Sequence, residues 1–275
     1  MIISIASGKG GTGKTTVAVG LALSVENVQL LDCDVEEPNV HVLLKPNIYQ
    51  EKPVYSLVPQ IMEEKCNYCG KCAKLCQYHT IFVAKKTFLV FPELCHSCGL
   101  CSIVCPEKAI INKERQVGIV KKGLAQGIDI VYGELNIGEP MAGPVIREVK
   151  KEVDRKKLVI IDVPPGASCP VVESVYGSDF TILVTEPTPF GLHDLKITVE
   201  VLRTLNVPLG VVVNRAGIGD KKVYEFCKKE GVPIMLEIPF SRKIAKLYSR
   251  GVSFVTEMDE WKTKFQHLLE TIMEA

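Results

Sequence analysis

Three groups of residues in this chain have the types and the spacing to do chemistry. The first is Gly8-Lys9-Gly10-Gly11-Thr12-Gly13-Lys14-Thr15-Thr16, which satisfies the pattern G-x-x-x-x-G-K-S/T. Four glycines within six positions let the backbone bend its N–H groups around an anion without Cβ clashes, and a helix starting there adds its partial positive charge. Lys14 can then reach the β- and γ-phosphates of a nucleotide, and Thr15 can ligate Mg²⁺.

The second group is eight cysteines. Cys66, Cys69, Cys72 and Cys76 follow Cys-x2-Cys-x2-Cys-x3-Cys, and Cys95, Cys98, Cys101 and Cys105 repeat it, the second run ending in Pro106. Gly70 matches Gly99 and Ile81-Phe82 matches Ile110-Ile111, so the repeat is an internal duplication. Zinc, the alternative, is normally held by two Cys-x2-Cys pairs, whereas three cysteines at the shorter spacing and a fourth at the longer one suit a 4Fe-4S cluster. In two-cluster arrangements the fourth cysteine of each run serves the other cluster. That assigns Cys66, Cys69, Cys72 and Cys105 to one cluster and Cys95, Cys98, Cys101 and Cys76 to the second. Glu63 to Asn112 resembles bacterial two-cluster ferredoxins, with Gln77 in place of the proline that closes the first run.

The third group is carboxylates at strand ends. Val28 to Leu31 runs into Asp32-Cys33-Asp34, and Leu158 to Ile161 runs into Asp162-Val163-Pro164-Pro165-Gly166. Open α/β sheets bind ligands at the carboxyl ends of their strands. Glu36 and Glu37 follow Asp34 and read as solvated or interfacial, because phosphoryl transfer needs few carboxylates near an anionic substrate.

The elements that must position these groups alternate. Ile2 to Ala6 reads as a strand and Val17 to Val25 as a helix. Lys45 to Gln60, interrupted by Pro46, Pro53 and Pro59, reads as a connector. Val117 to Val120 and Ile128 to Leu135 read as a hairpin, and Val145 to Lys156 as a helix begun by Pro144. Strands at Phe180 to Val184, Leu209 to Val213 and Ile234 to Ile238 alternate with helices at Leu192 to Leu205, Lys221 to Lys229 and Arg242 to Ser249. This pattern predicts an α/β fold with a mostly parallel sheet covered by helices on both faces.

The phosphate loop, with its second lysine at Lys9, resembles the MinD/ParA class of P-loop ATPases, the deviant Walker A group that includes Mrp-type ATPases and the nitrogenase iron protein. The resemblance covers nearly the whole chain. It implies that Lys9 is the signature lysine that reaches a partner's nucleotide in an ATP-sandwiched homodimer, and that Asp34 orients or activates the attacking water. It further implies that Asp162 holds Mg²⁺, that Gly166 senses the γ-phosphate and that Asn214 contacts the adenine, a strand-end turn residue being the alternative for Asn214. Glu186-Pro187-Thr188 matches a family loop whose role the sequence leaves open. Cys169 falls where the iron protein has one cluster-bridging cysteine, and Met141 stands at the approximate place of the other, so Cys169 is either a metal ligand or a packed residue. Cys33 and Cys227 read as buried structural residues. The implied organisation is an ATPase domain at 1–60 and 114–275, with an inserted ferredoxin-like α+β module at 61–113.

Composition narrows the rest. A net charge of +1 over 275 residues gives no global pull toward nucleic acid or membrane. Eleven cysteines, mostly clustered, without an N-terminal signal or an apolar run of roughly 18 residues, point to metal ligation in the cytoplasm. A C-terminal stripe of Trp261, Phe265, Leu268, Leu269, Ile272 and Met273 is expected to pack on the body, because its polar face carries Glu260, Glu270 and Glu274 beside Lys262 and Lys264 and lacks the basic excess of a membrane helix. Three functions follow: ATP-gated electron transfer to an unidentified redox partner, ATP-dependent assembly or carriage of a metal cluster, and a positioning ATPase with structural clusters.

Overall fold

The structure, a computed structural model, describes residues 1–274. β1 (Ile2–Ala6) is buried along its whole length, and its C-terminal end feeds the glycine loop and α1 (Lys14–Ser24). β2 (Val28–Asp32) is likewise wholly buried, and α2 (Val40–Leu44) follows it. Uninterrupted burial is what a parallel strand between two helical layers requires.

The predicted connector is the largest departure from the sequence reading. Asn47–Ile61 is a strand, β3, paired antiparallel along its length with β6 (Ile110–Ala125). Its prolines hid it, and they are tolerated because β3 is the edge of the sheet, where a missing N–H breaks no inner ladder. β7 (Ile128–Leu135) pairs with β6 only over Gly118 to Ala125, so Ser56 to Ile61 and Ile110 to Arg115 continue as a two-stranded ribbon. Gln126 (φ 51°) and Gly127 (φ 78°) make the β6–β7 turn, two left-handed residues that match the strand twist.

The cysteine runs lie between the two ribbon strands. They contain α3 (Lys71–Leu75), a small hairpin of β4 (Ile81–Ala84) and β5 (Thr87–Val90), and α4 (Leu100–Ile103). The duplication persists in the backbone. Gly70 and Gly99 precede the two helices at φ 73° and 71°, and Met62 N–H donates to Ala109 where Phe91 N–H donates to Thr80.

The remaining elements are α5 (Gly143–Lys150), β8 (Leu158–Asp162), α6 (Cys169–Val175), β9 (Phe180–Thr185), α7 (Pro189–Thr204), β10 (Leu209–Ala216), α8 (Lys222–Glu230), β11 (Ile234–Pro239), α9 (Arg242–Tyr248) and α10 (Asp259–Glu274). α5 stops six residues short of the predicted end. The sheet order is β11-β10-β9-β1-β8-β2-β7-β6-β3, parallel from β11 to β7 and antiparallel beyond. One core layer packs Val145, Val149, Val171, Leu195 and Val223 on one face of the sheet, and the other packs Val17, Leu21, Trp261, Phe265 and Leu268 on the opposite face. Trp261, Phe265, Leu268 and Ile272 of the C-terminal stripe are therefore buried, with the Phe265 ring against Gly20 of α1, where a Cβ would lie within 3 Å of it, whereas Leu269 is half-buried and Met273 stays exposed.

Candidate functional site

At the carboxyl edge of the sheet, Gly13 takes φ 96° and passes straight into α1, whose first residue is Lys14. A side chain at Gly13 would meet both that positive φ and the Asn214 amide. Lys14 is only 6% exposed. Gly10, Gly11, Gly13, Lys14, Thr15 and Thr16 form one wall of a cleft of about 360 Å³, and Asp34, Pro165 and Asn214 join it from neighbouring strand ends. Gly8, Lys9, Thr12, Asp162 and Gly166 do not line the cleft.

Thr15 Oγ1 donates to Asp162 Oδ2 at 2.6 Å, while Asp162 Oδ1 is buried without a partner. Burial pushes the Asp162 carboxyl up to about 7, with Asp34 adding to the rise and Lys14 and the Thr15 hydroxyl opposing it. A carboxylate so desolvated, with one oxygen uncommitted beside a threonine hydroxyl, fits a hard divalent cation. Asp34 is pushed up to about 6, first by burial and then by Glu36 and Glu37, against the pull of Lys14. Asp32 does a different job: it accepts the N–H groups of Asp34, Asn39 and Val40 at 2.9–3.0 Å and so ties down the loop that presents Asp34. Burial, then Asp162, raises its carboxyl well above the usual range. Gly166, at φ 104°, donates its N–H to Ser7 at 2.9 Å beside the phosphate loop.

Asn214 Nδ2 donates to the Thr12 carbonyl at 2.7 Å, so its amide braces the loop as well as lining the cleft. Lys9 lies outside the cleft, ion-paired with Glu186, which is 5% exposed. Arg215 reaches the same carboxylate at 2.8 Å and the Gly11 carbonyl at 3.2 Å. Burial alone would raise the Glu186 carboxyl, but Lys9 and Arg215 hold it below the usual range. The Glu186-Pro187-Thr188 loop thus has a structural account: Glu186 anchors Lys9, and Thr188 caps α7 by accepting the Gly191 N–H at 3.1 Å. Sequence reasoning missed part of the cleft's lining, where Pro239, Phe240, Ser241, Ile244 and Tyr248, on and between β11 and α9, contribute mostly apolar surface.

The cysteines fall into two sets. Cys66, Cys69, Cys72 and Cys105 line one pocket with Ile61, Val83 and Ile110. Burial pushes the Cys72 thiol up, and its neighbours Cys105 and Cys66 push it further. In the second set burial raises Cys95, with Cys98 and Cys76 adding to it, and burial raises Cys101 beside Cys95 and Cys98. Both fourth cysteines accept a backbone N–H on sulfur, Cys76 from Thr80 at 3.4 Å and Cys105 from Ala109 at 3.3 Å. Burial opposes ionisation of Cys76, but the Thr80 hydroxyl and the Thr80, Tyr78 and His79 N–H groups together outweigh it and lower the thiol. Among the described residues no three His, Cys, Asp or Glu side chains converge on a single-ion site. Cys33 and Cys227 are buried, and Cys169 is exposed at the start of α6.

A glycine loop joining the first parallel strand to its helix, with a lysine and a threonine at the helix head, makes the molecule a P-loop nucleotide-binding protein. Residues 3–254 match the CobQ/CobB/MinD/ParA nucleotide binding domain, and the chain belongs to this family of P-loop ATPases. An uncharacterised protein of Methanocaldococcus jannaschii is 34% identical over 94% of this chain and 93% of its own. A protein of Pyrococcus abyssi named iron-sulfur cluster carrier protein is 26% identical over 98% of this chain and 85% of its own. In fold the chain is similar to the septum site-determining protein MinD of Pyrococcus horikoshii, solved with Mg-ADP, at TM-score 0.61 and 20% identity over 98% of this chain and 95% of that one. No helix of the described residues is long and apolar enough to cross a membrane.

Proposed function

We propose that this ATPase couples a nucleotide-dependent homodimer switch to electron transfer through two 4Fe-4S clusters, held by a ferredoxin-like module at residues 61–113 inserted into an ATPase domain at 1–60 and 114–275. The observation that carries the reading is the crossed grouping of the cysteines, in which Cys105 joins the first run in one pocket and Cys76 neighbours Cys95 of the second. Crossing of the fourth cysteines is the habit of two-cluster ferredoxins. A 4Fe-4S cluster held there supplies one-electron storage.

In the ATP site, Gly8 to Thr16 cradle the phosphates, Lys14 neutralises them, and Thr15 and Asp162 would hold Mg²⁺, which would supply charge compensation for the phosphates. Asp34, which lines the cleft, orients the attacking water. Gly166 reports the γ-phosphate to the segment leading to α6. Lys9 leaves Glu186 to meet the partner protomer's nucleotide. The redox partner is a protein yet to be identified; the charge of +1 gives no reason to expect nucleic acid. Eleven free cysteines suit the reducing cytoplasm.

The second reading, an ATP-dependent iron-sulfur cluster carrier, is favoured by the name of the Pyrococcus abyssi relative. The likeness to MinD, at 20% identity, supports a positioning ATPase only through the shared fold. ATP turnover by anaerobically purified protein, compared between oxidised and dithionite-reduced samples, separates the readings. A rate that depends on redox state supports gated electron transfer. An unchanged rate moves the carrier and positioning readings ahead.

A further inference from the structure

Asn214 and Arg215 are consecutive residues of β10, and both reach the phosphate loop. Asn214 Nδ2 donates to the Thr12 carbonyl at 2.7 Å, and Arg215 Nη2 donates to the Gly11 carbonyl at 3.2 Å. Neighbours on a regular strand point to opposite faces, so this convergence needs a break in the strand. The break is a bulge. Asn214 pairs with Ile238 and Ala216 with Pro239 on β11, which leaves Arg215 as the extra residue. Its φ of 53° is uncommon for a residue with a side chain, and Asn214 Oδ1 supports the turn by accepting the Arg215 N–H at 2.9 Å. On the proposed reading of Gly8 to Thr16 as the phosphate cradle, we infer that Arg215 is a positioning residue for phosphate binding. With Asn214 it clamps two successive loop carbonyls and so sets the direction of the N–H groups that meet the phosphates.

In a planar trans peptide the N–H points opposite to the carbonyl before it. Holding the Gly11 carbonyl therefore aims the Thr12 N–H, and holding the Thr12 carbonyl aims the Gly13 N–H, both away from the clamp. Gly11 at φ 77° and Gly13 at φ 96° supply left-handed residues of the kind that let successive N–H groups converge on an anion. The clamp is itself anchored. Arg215 Nη1 donates to Glu186 Oε2 at 2.8 Å, and Glu186 is 5% exposed and paired with Lys9 as well. One planar guanidinium thus spans a buried carboxylate and a loop carbonyl through two different nitrogens, a geometry that the single nitrogen of a lysine does not reproduce.

The test uses the anaerobically purified full chain, with Mg-ADP affinity from calorimetry and ATP turnover at steady state. Arg215→Met keeps the apolar stem and removes the guanidinium. It is expected to bind Mg-ADP about tenfold more weakly and to raise the KM for ATP, with kcat within about twofold, because a grip on phosphates common to ground and transition states is uniform binding. Arg215→Lys, which keeps the charge, is expected to stay weakened. Because Arg215 also lines the cleft, a direct charge contact with the nucleotide would instead be restored in full by lysine. A role at the γ-phosphate alone would lower kcat and leave Mg-ADP affinity intact. Either of those results, or wild-type values in Arg215→Met, would overturn the clamp. Glu186→Ala releases the guanidinium from its anchor and decides the matter if the arginine variants misfold: a several-fold loss of Mg-ADP affinity supports the clamp and an unchanged affinity overturns it. A wild-type chain that does not bind Mg-ADP would overturn the phosphate-site reading together with the clamp, whereas wild-type binding beside unweakened variants would overturn the clamp alone.

Discussion

The glycines of the phosphate loop do different jobs, and alanine replacements should separate them. At Gly13 the backbone sits at φ 96°, where an alanine costs about 1–2 kcal/mol. Its Cβ would also displace the Asn214 amide from the Thr12 carbonyl, a bond of about 1 kcal/mol. Gly13→Ala is therefore expected to lose about 2–3 kcal/mol of stability. At Gly8 a Cβ would lie 2.5 Å from the Asp194 Cβ and carbonyl oxygen, an overpacking that costs about 1–3 kcal/mol. Gly10 differs: a Cβ there meets nothing within 4 Å, and its φ lies outside the left-handed region. Gly10→Ala should leave stability within about 0.5 kcal/mol or raise it slightly by restricting the unfolded chain. Yet Gly10 faces the cleft, so the new methyl group would stand where a phosphate approaches the backbone. Urea unfolding of the nucleotide-free proteins measures the first effect and calorimetric titration with Mg-ATP the second. The expected pattern for Gly10→Ala is wild-type stability with weakened nucleotide binding. Stability loss equal to that of Gly13→Ala would refute the loop geometry, and unweakened binding would refute the placement of Gly10 against the phosphates.

Three further perturbations follow from the same geometry. Lys9→Ala removes a side chain that lies outside the cleft, so it should spare nucleotide binding by the monomer and abolish ATP-dependent dimers in analytical ultracentrifugation. In the proposed role Asp34 must be ionised to orient water, and burial pushes its carboxyl up to about 6, so turnover at saturating Mg-ATP is expected to rise as pH climbs through about 6. Asp34→Asn should bind ATP, turn over slowly and lose that rise. Phe265→Ala empties a fully buried site against α1 and should cost about 3–5 kcal/mol in urea unfolding of the isolated protein. A helix that instead needed a bilayer to bury its stripe would leave the isolated protein's stability unchanged.

What could be read from the sequence was local. The β1-loop-α1 unit, the strand-end carboxylates and the duplicated cysteines announce themselves within short windows, where apolar runs, glycines and spacing act directly on the backbone. Residues brought together by topology did not. Phe240 and Tyr248 reach the cleft only because β11 lies beyond β10, and no motif in Ile-Pro-Phe-Ser carries that information. Glu186 was visible as a loop residue, but its hold on Lys9 depends on β9 lying beside β1. β3 was hidden for another reason. Its prolines argue against an inner strand, and nothing local says that the strand is an edge paired with residues on the far side of both cysteine runs. Asn214 shows the converse: the right residue was singled out, and the structure adds a brace on Thr12 that the sequence could not specify.

A run of backbone contacts joins the cleft to the cysteines. Val35, next to Asp34, accepts the Leu135 N–H at 2.8 Å, and Asn136 donates to Val117 at 2.9 Å. Val117 lies on β6, which runs without a break to Ile110, beside the cysteine-lined pocket. On the other side Cys33 N–H donates to the Asp162 carbonyl, joining both acidic strand ends. A chain of contacts is a route and not yet a coupling; the physical criterion is a free energy shared by the two sites. Linkage makes that free energy reciprocal. If the proposed clusters change ATP affinity tenfold between their oxidised and reduced forms, ATP must shift their one-electron potential by about 59 mV, the same free energy read at the other site. Titrating the potential with and without Mg-ATP, and ATP affinity at both redox levels, is therefore a closed test. Two shifts of equal free energy would establish that the clusters and the nucleotide are coupled, whereas an unmoved potential would show that the route carries no free energy between them.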